Sequence, residues 1–186
     1  MSVASIQKSE AKSESSIHQT PLAVGSSAKL EGVVVVIPAR NEQASLPLVL
    51  RDLPDVQRVI VANNGSTDHT AELAHEAGAV VVDEPQAGYG AACLAGLAEI
   101  ERTNERDAIL APQIVVFVDG DYSDHVHLLP ALVVPILTDR ADFVLGSRLL
   151  GEREPGAMPL QSVLGNRLAC FLMRLFWGHR YSDLGP

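Results

Sequence analysis

Two carboxylates separated by one small residue, Asp119-Gly120-Asp121, stand where the apolar run Ile114-Val115-Val116-Phe117-Val118 ends. A pair of this kind at the exit of a buried strand suits one task, holding a hard divalent cation against the diphosphate of a nucleotide. Ions such as Mg2+ take oxygen ligands and are held by one or two carboxylates together with phosphate oxygens. Alone the doublet is a weak signal, since aspartates are also ordinary turn residues. Three further polar clusters share its kind of position. Pro38-Ala39-Arg40-Asn41-Glu42 follows the apolar run 33–37, Asn63-Asn64-Gly65-Ser66-Thr67-Asp68 follows 58–62, and Gly146-Ser147-Arg148 follows 142–145.

The elements that must position these clusters are legible in the apolar pattern. Strands are expected over 32–38, 58–62, 79–82, 114–118 and 142–145. They alternate with helical patterns over 44–53, 69–78, a stretch opened by Gly88-Tyr89-Gly90 and running to Arg102, 125–137 and 160–177. Ser66 or Thr67 is the natural cap of the second helix, and Ser123 or Asp124 of the fourth. Continuous apolar strands interleaved with helices indicate an α/β fold, a Rossmann-like, mostly parallel sheet with helices on both faces. In such sheets ligands bind outside the carboxyl ends of the strands. The four clusters are therefore expected to converge on one rim.

The 186 residues suffice for one domain with a sizeable core. A formal net charge of -9 argues against a nucleic-acid partner, which needs a basic face to replace condensed counterions. It leaves a nucleotide ligand open. Residues 1–29, polar and serine-rich, are expected to form a disordered arm, with the domain over 30–186. Cys93 and Cys170 lack metal-ligand spacing and read as reduced, partly buried thiols. The start of the chain has no apolar signal-peptide core, and no apolar run reaches the ~18 residues of a membrane span. A cytoplasmic protein is expected.

Taken together, the motifs resemble the family 2 glycosyltransferases with the GT-A fold, more narrowly the dolichyl-phosphate mannose synthase-like branch. Pro38-Ala39-Arg40-Asn41-Glu42, Asn64-Gly65-Ser66-Thr67-Asp68, Gly88-Tyr89-Gly90-Ala91-Ala92, Asp119-Gly120-Asp121 and Gly146-Ser147-Arg148 occur in the family's order and at similar intervals. The resemblance implies a nucleotide-diphosphosugar donor, UDP- or GDP-linked, a Mg2+ or Mn2+ ion, and transfer with inversion to a polyprenyl phosphate or a glycan. It places Pro38, Arg40 and Glu42 at the base and ribose, Asn64 at the base, and Asp119 and Gly120 at the nucleotide. Asp121 becomes the principal metal ligand, completed by Ser123, and Arg148 reaches the diphosphate or the sugar. Asp183 is either a turn residue or the acceptor-side carboxylate. A polyprenyl acceptor implies peripheral contact with the inner face of the membrane.

Two departures stand out. Asn63-Asn64 replaces an aspartate pair common in the family, keeping an acceptor and losing a charge. Tyr89 replaces a lysine often found between the two glycines. The chain ends at Asp183-Leu184-Gly185-Pro186, where relatives continue, so the domain is expected to be truncated at its C-terminal side. A non-catalytic nucleotide-sugar-binding fragment is accordingly one rival. A nucleotidyltransferase is another, disfavoured because the cluster after the first strand has no glycine to cradle a triphosphate. His125 and His127 differ by two, against the three or four of helix-face neighbours, so Asp124 reads as a cap and the histidines as surface residues. The last helix, with Leu168, Phe171, Leu172 and Leu175, reads as core packing, its basic residues and Trp177 leaving interfacial binding open.

Overall fold

A computed structural model of the chain describes residues 2–7, 30–147 and 160–178. The elements run β1 (Ser2–Gln7), β2 (Leu30–Ala39), α1 (Leu46–Asp52), β3 (Val56–Asn63), α2 (Thr70–Glu76), β4 (Val80–Asp83) and α3 (Tyr89–Arg106). They continue with β5 (Ile114–Phe117), α4 (Leu129–Leu137), β6 (Phe143–Ser147) and α5 (Leu160–Trp177). Short 3-10 turns, Ala108–Leu110 and Val126–Leu128, precede β5 and α4. The fold divides into two units, one over Gly25–Leu129 and one over Met1–Val24 with Pro130–Pro186.

The first unit is a four-stranded parallel sheet in the order β4-β3-β2-β5. Its central strand β2 buries Val33, Val34, Val35, Val36 and Ile37 completely, as a strand covered on both faces must. Val35 pairs with Val59 on one side and with Val116 on the other. The chain steps outward from β2 through α1 to β3 and through α2 to β4, then returns through α3 to place β5 beyond β2. Because such crossovers are right-handed, the reversal sends α3 to the face opposite α1 and α2. On that face Ile100 and Leu97 of α3 pack on Val34, Val36 and Ile60. Val33, Val35, Ile37 and Val61 point the other way.

Gly96 lets α3 come close to the sheet. A Cβ at this position would stand 2.4 Å from Cγ1 of Val36. The small residue is therefore set by space, and no reading of its type as a helix residue would have shown it.

The second unit departs from the sequence expectation in two ways. Ser2–Gln7, within the segment expected to be a disordered arm, pairs antiparallel with β6, Ser2 opposite Ser147 and Gln7 opposite Phe143. An open strand edge offers unpaired N–H and C=O groups, and a polar segment can satisfy them without apolar periodicity. Consequently β6 lies in a two-stranded sheet of its own and is not a fifth strand of the parallel sheet. The expectation of a fifth parallel strand leading into Gly146 and Ser147 is thereby corrected. The helix expected over 125–137 is a 3-10 turn followed by α4, which contains Pro135. Among the described residues, no helix is long and apolar enough to cross a membrane.

Candidate functional site at the carboxyl rim of the parallel sheet

In the order β4-β3-β2-β5 the direction of winding reverses between β2 and β5, and the crevice at such a switch point is where open α/β sheets take their ligands. The segments leaving these two strands are in contact. A Cβ on Gly120 would lie 3.4 Å from Cβ of Ala39, 3.4 Å from the carbonyl oxygen of Pro38 and 3.5 Å from Cγ of Glu42. Two of the sequence-identified clusters thus meet through a buried glycine.

The loop after β2 is joined to the loop after β3 by a ladder of hydrogen bonds. The N–H of Asn41 donates to Oγ of Ser66 (3.0 Å), that of Glu42 to Oγ1 of Thr70 (2.8 Å), and that of Gln43 to Oδ2 of Asp68 (3.2 Å). In return the N–H of Thr67 donates to Oδ1 of Asn41 (2.8 Å), and that of His69 to Oε1 of Gln43 (3.2 Å). Asn41 sits at φ +58°, a left-handed conformation that asparagine tolerates better than most residues. The Thr70 hydroxyl also donates to Asp68, and this bond chiefly holds the Asp68 carboxyl below the usual carboxylate range. The capping expected of Ser66 or Thr67 does not occur: His69 stands at the cap with no side-chain capping bond, and Oδ1 of Asp68, one residue before it, accepts from the N–H of Thr70 at 3.1 Å. Ser66 is needed across the loop for Asn41.

Asn64 is buried and its carboxamide is committed. Nδ2 donates to the carbonyls of Glu84 (3.0 Å) and Gln86 (2.7 Å), while Oδ1 accepts from the N–H of Gly88 (2.8 Å). Both amide hydrogens hold the segment leading into α3, a different use from the base contact that the resemblance implies. It also explains the asparagine, because a carboxylate here would face two carbonyl oxygens with no hydrogen to offer. Asn63 makes a parallel link, donating to Oδ1 of Asp83 at 2.7 Å.

The carboxylate turn is held from three sides. Oδ1 of Asp119 accepts from the Tyr89 hydroxyl at 3.1 Å, and the N–H of Asp119 donates to Oδ2 of Asp124 at 3.2 Å. Asp124 therefore ties down the turn, and is not the helix cap expected. Oδ1 of Asp121 accepts from the N–H of Ser123 at 2.9 Å. The Tyr122 hydroxyl donates to the Asp52 carboxylate, which Nε of Arg51 also contacts at 2.8 Å. Arg51 and then Tyr122 bring the Asp52 carboxyl down to about 2. Burial, and next the charge of Asp119, push the Tyr89 hydroxyl well above its usual value, so it remains a proton donor to Asp119.

Of the sequence-identified residues, Pro38, Asn64 and Gly120 are buried, Glu42 and Asp119 half-buried, and Arg40, Asp121 and Ser123 exposed. Arg148 and Asp183 lie outside the described residues. Sequence reasoning missed Asp68 and Thr70 as the bridge between loops, Tyr89 as the partner of Asp119, and Tyr122 with Asp52. A polar Thr70 at the start of a helix, fully buried, is a signal only once burial is known. Among the described residues no cluster of three or more His, Cys, Asp or Glu side chains is gathered to enclose a metal ion. Two carboxylates on an open turn suit a cation that keeps water and phosphate among its ligands, as Mg2+ and Mn2+ do.

Comparison with known proteins agrees with the fold. The model of glycosyl transferase family 2 matches residues 34–184. An uncharacterized glycosyltransferase of Mycobacterium tuberculosis is 42% identical over 118 residues, which are 63% of this chain and 49% of that protein. A dolichyl-phosphate hexose transferase of Haloferax volcanii is 32% identical over 152 residues, covering 77% of this chain and 60% of its own. Among solved structures, the glucosyl-3-phosphoglycerate synthase of Mycobacterium tuberculosis in complex with Mn2+, UDP and glucosyl-3-phosphoglycerate superposes with a TM-score of 0.50 at 28% identity, over 66% of this chain and 47% of that one. The chain spans about half the length of the first of these relatives.

Proposed function

The chain belongs to glycosyl transferase family 2, and on that premise we propose that its parallel-sheet unit is the donor site of a metal-dependent, inverting hexosyltransferase that uses a UDP-sugar. The observation that carries this reading is the seating of Asp119-Gly120-Asp121 at the β2/β5 switch point, with Gly120 packed on Pro38, Ala39 and Glu42. Uridine is favoured over guanosine by the UDP held in the structural relative.

In this reading Pro38, Arg40 and Glu42 line the base and ribose, and Asp119 faces the nucleotide. Asn64 supports them by fixing the 84–88 segment. Asp121, with Ser123, would hold Mg2+ or Mn2+, which when bound supplies positive charge to the departing diphosphate. Tyr89 keeps Asp119 oriented and, being protonated, adds no charge of its own. Arg148 is assigned to the diphosphate or sugar, and its planar guanidinium suits paired phosphate oxygens. A phosphate acceptor is already anionic near neutral pH, given a second pKa of about 6, and needs no strong base. A hydroxyl acceptor needs one, and Asp183 is the candidate.

The named activity of the Haloferax relative supports a polyprenyl phosphate acceptor. So does α5, where Leu168, Phe171, Leu172, Leu175 and Phe176 are exposed and no acidic residue occurs, a composition suited to an anionic lipid surface at the inner face of a membrane. Co-sedimentation with anionic vesicles is the expected outcome, and its absence removes lipid contact from the proposal. The donor reading is tested by calorimetry with UDP- and GDP-sugars in the presence and absence of Mn2+. Turnover with a polyprenyl phosphate then separates an enzyme from a nucleotide-sugar-binding module.

A further inference from the structure

Tyr122 occupies a conformation that its side chain disfavours. Its φ is +64°, in the left-handed region where a bulky residue is an outlier, and such residues persist only where their surroundings hold them. Burial is not what holds it, since the side chain is 40% exposed. The visible restraint is the hydroxyl, which donates to the carboxylate of Asp52 at the end of α1, seventy residues away in sequence. Asp52 is itself fixed by Arg51. The left-handed residue has a direct consequence for its neighbour. It turns the chain back so that the N–H of Ser123 reaches Oδ1 of Asp121, which sets the orientation of that carboxylate.

We propose that Tyr122 is a positioning residue for the cation site, its hydroxyl latching the Asp119-Gly120-Asp121 turn to α1 so that Asp121 meets the ion already oriented. This rests on the donor-site reading above. The latch acts on the metal and not on the base or ribose, because none of its members lies among the residues assigned to those groups. Losing it should weaken cation capture while leaving the nucleotide pocket intact. Asp52 needs only an acceptor oxygen for Tyr122, so Asp52→Asn preserves that contact and Asp52→Ala abolishes it. Glycine adopts positive φ without penalty, so Tyr122→Gly can restore the turn without the hydroxyl, whereas Tyr122→Ala restores neither.

The test is a Mn2+ titration of the full chain at fixed UDP, followed by the electron paramagnetic resonance signal of free Mn2+, with UDP affinity at saturating Mn2+ measured in parallel. Tyr122→Phe and Asp52→Ala should raise the Mn2+ concentration at half-saturation about three- to tenfold, the range of one net hydrogen bond. UDP affinity at saturating Mn2+ should stay unchanged, Asp52→Asn should resemble wild type, and Tyr122→Gly should bind Mn2+ better than Tyr122→Ala. A cooperative thermal transition well above the assay temperature confirms that each variant is folded, and Asp52→Ala removes the latch from its far end without touching the turn. If the wild-type chain shows no Mn2+-dependent UDP binding, the donor-site reading falls and the latch with it. If the wild type binds and both Tyr122→Phe and Asp52→Ala titrate identically to it, the latch alone is overturned.

Discussion

Gly96→Ala adds one methyl group where α3 crosses β2, and the structure fixes the sign of its effect. Alanine in a helix interior is worth up to about 1 kcal/mol over glycine, so the substitution would stabilise an exposed helix. Here the new Cβ would stand 2.4 Å from Cγ1 of Val36, whereas carbon atoms pack at about 3.5–4.0 Å. The shortfall exceeds one ångström. Val36 is fully buried in the central strand and stiff at χ1, so the helix must retreat. Overpacking of this kind costs about 1–3 kcal/mol, which offsets the gain and leaves a net loss of up to about 2 kcal/mol. For a domain of this size that is a fall in Tm of up to about 8 °C. The retreat also carries Tyr89, at the start of α3, away from Asp119. Thermal or urea unfolding of the two chains is the assay. A Gly96→Ala chain as stable as wild type, or more so, would refute the packing of α3 on β2 described above.

Gly120→Ala separates space in the fold from space for the ligand. Its Cβ would meet Pro38, Ala39 and Glu42 at ordinary contact distances, so the urea midpoint should be unchanged while UDP affinity falls, and unchanged affinity would remove Gly120 from the site. Asn64→Asp, which restores the family's carboxylate, should destabilise by about 1–3 kcal/mol because two carbonyls lose their donor. A neutral effect by urea unfolding would contradict the hydrogen bonding of 84–88. Asp52 has its carboxyl lowered to about 2 in the fold, so its contribution is present above the unfolded pKa of about 4 and is lost as pH falls toward 2. The urea midpoint of wild type should therefore drop more steeply between those pH values than that of Asp52→Asn, and parallel curves would count against the Arg51–Asp52–Tyr122 arrangement.

The buried strands were legible because continuous valine runs such as Val33 to Ile37 suit only a sheet covered on both faces. The clusters after β2, β3 and β5 were legible as well, since a polar segment following such a run must surface at the strand's carboxyl end. Strand order was not. No residue in 142–145 shows whether that strand joins β5 or pairs elsewhere, and it is the backbone edge of Ser2–Gln7 that takes it. The use of each polar side chain was equally hidden. Asn64 reads as a ligand contact until both its amide hydrogens are found on carbonyls 20 and 22 residues away. Asp124 reads as a cap until its oxygen is found on the N–H of Asp119. Spacing shows which residues lie at a rim, while the partner each one takes depends on loops whose left-handed residues, Asn41 and Tyr122, leave no periodic trace.

Calorimetric titration of UDP into the wild-type chain and into Asp121→Ala, each with and without Mn2+, tests the central claim most directly. The wild type should bind UDP only when Mn2+ is present, and Asp121→Ala should lose that metal-dependent binding. Binding of UDP that is indifferent to Mn2+, or an Asp121→Ala chain that titrates like wild type, would contradict it.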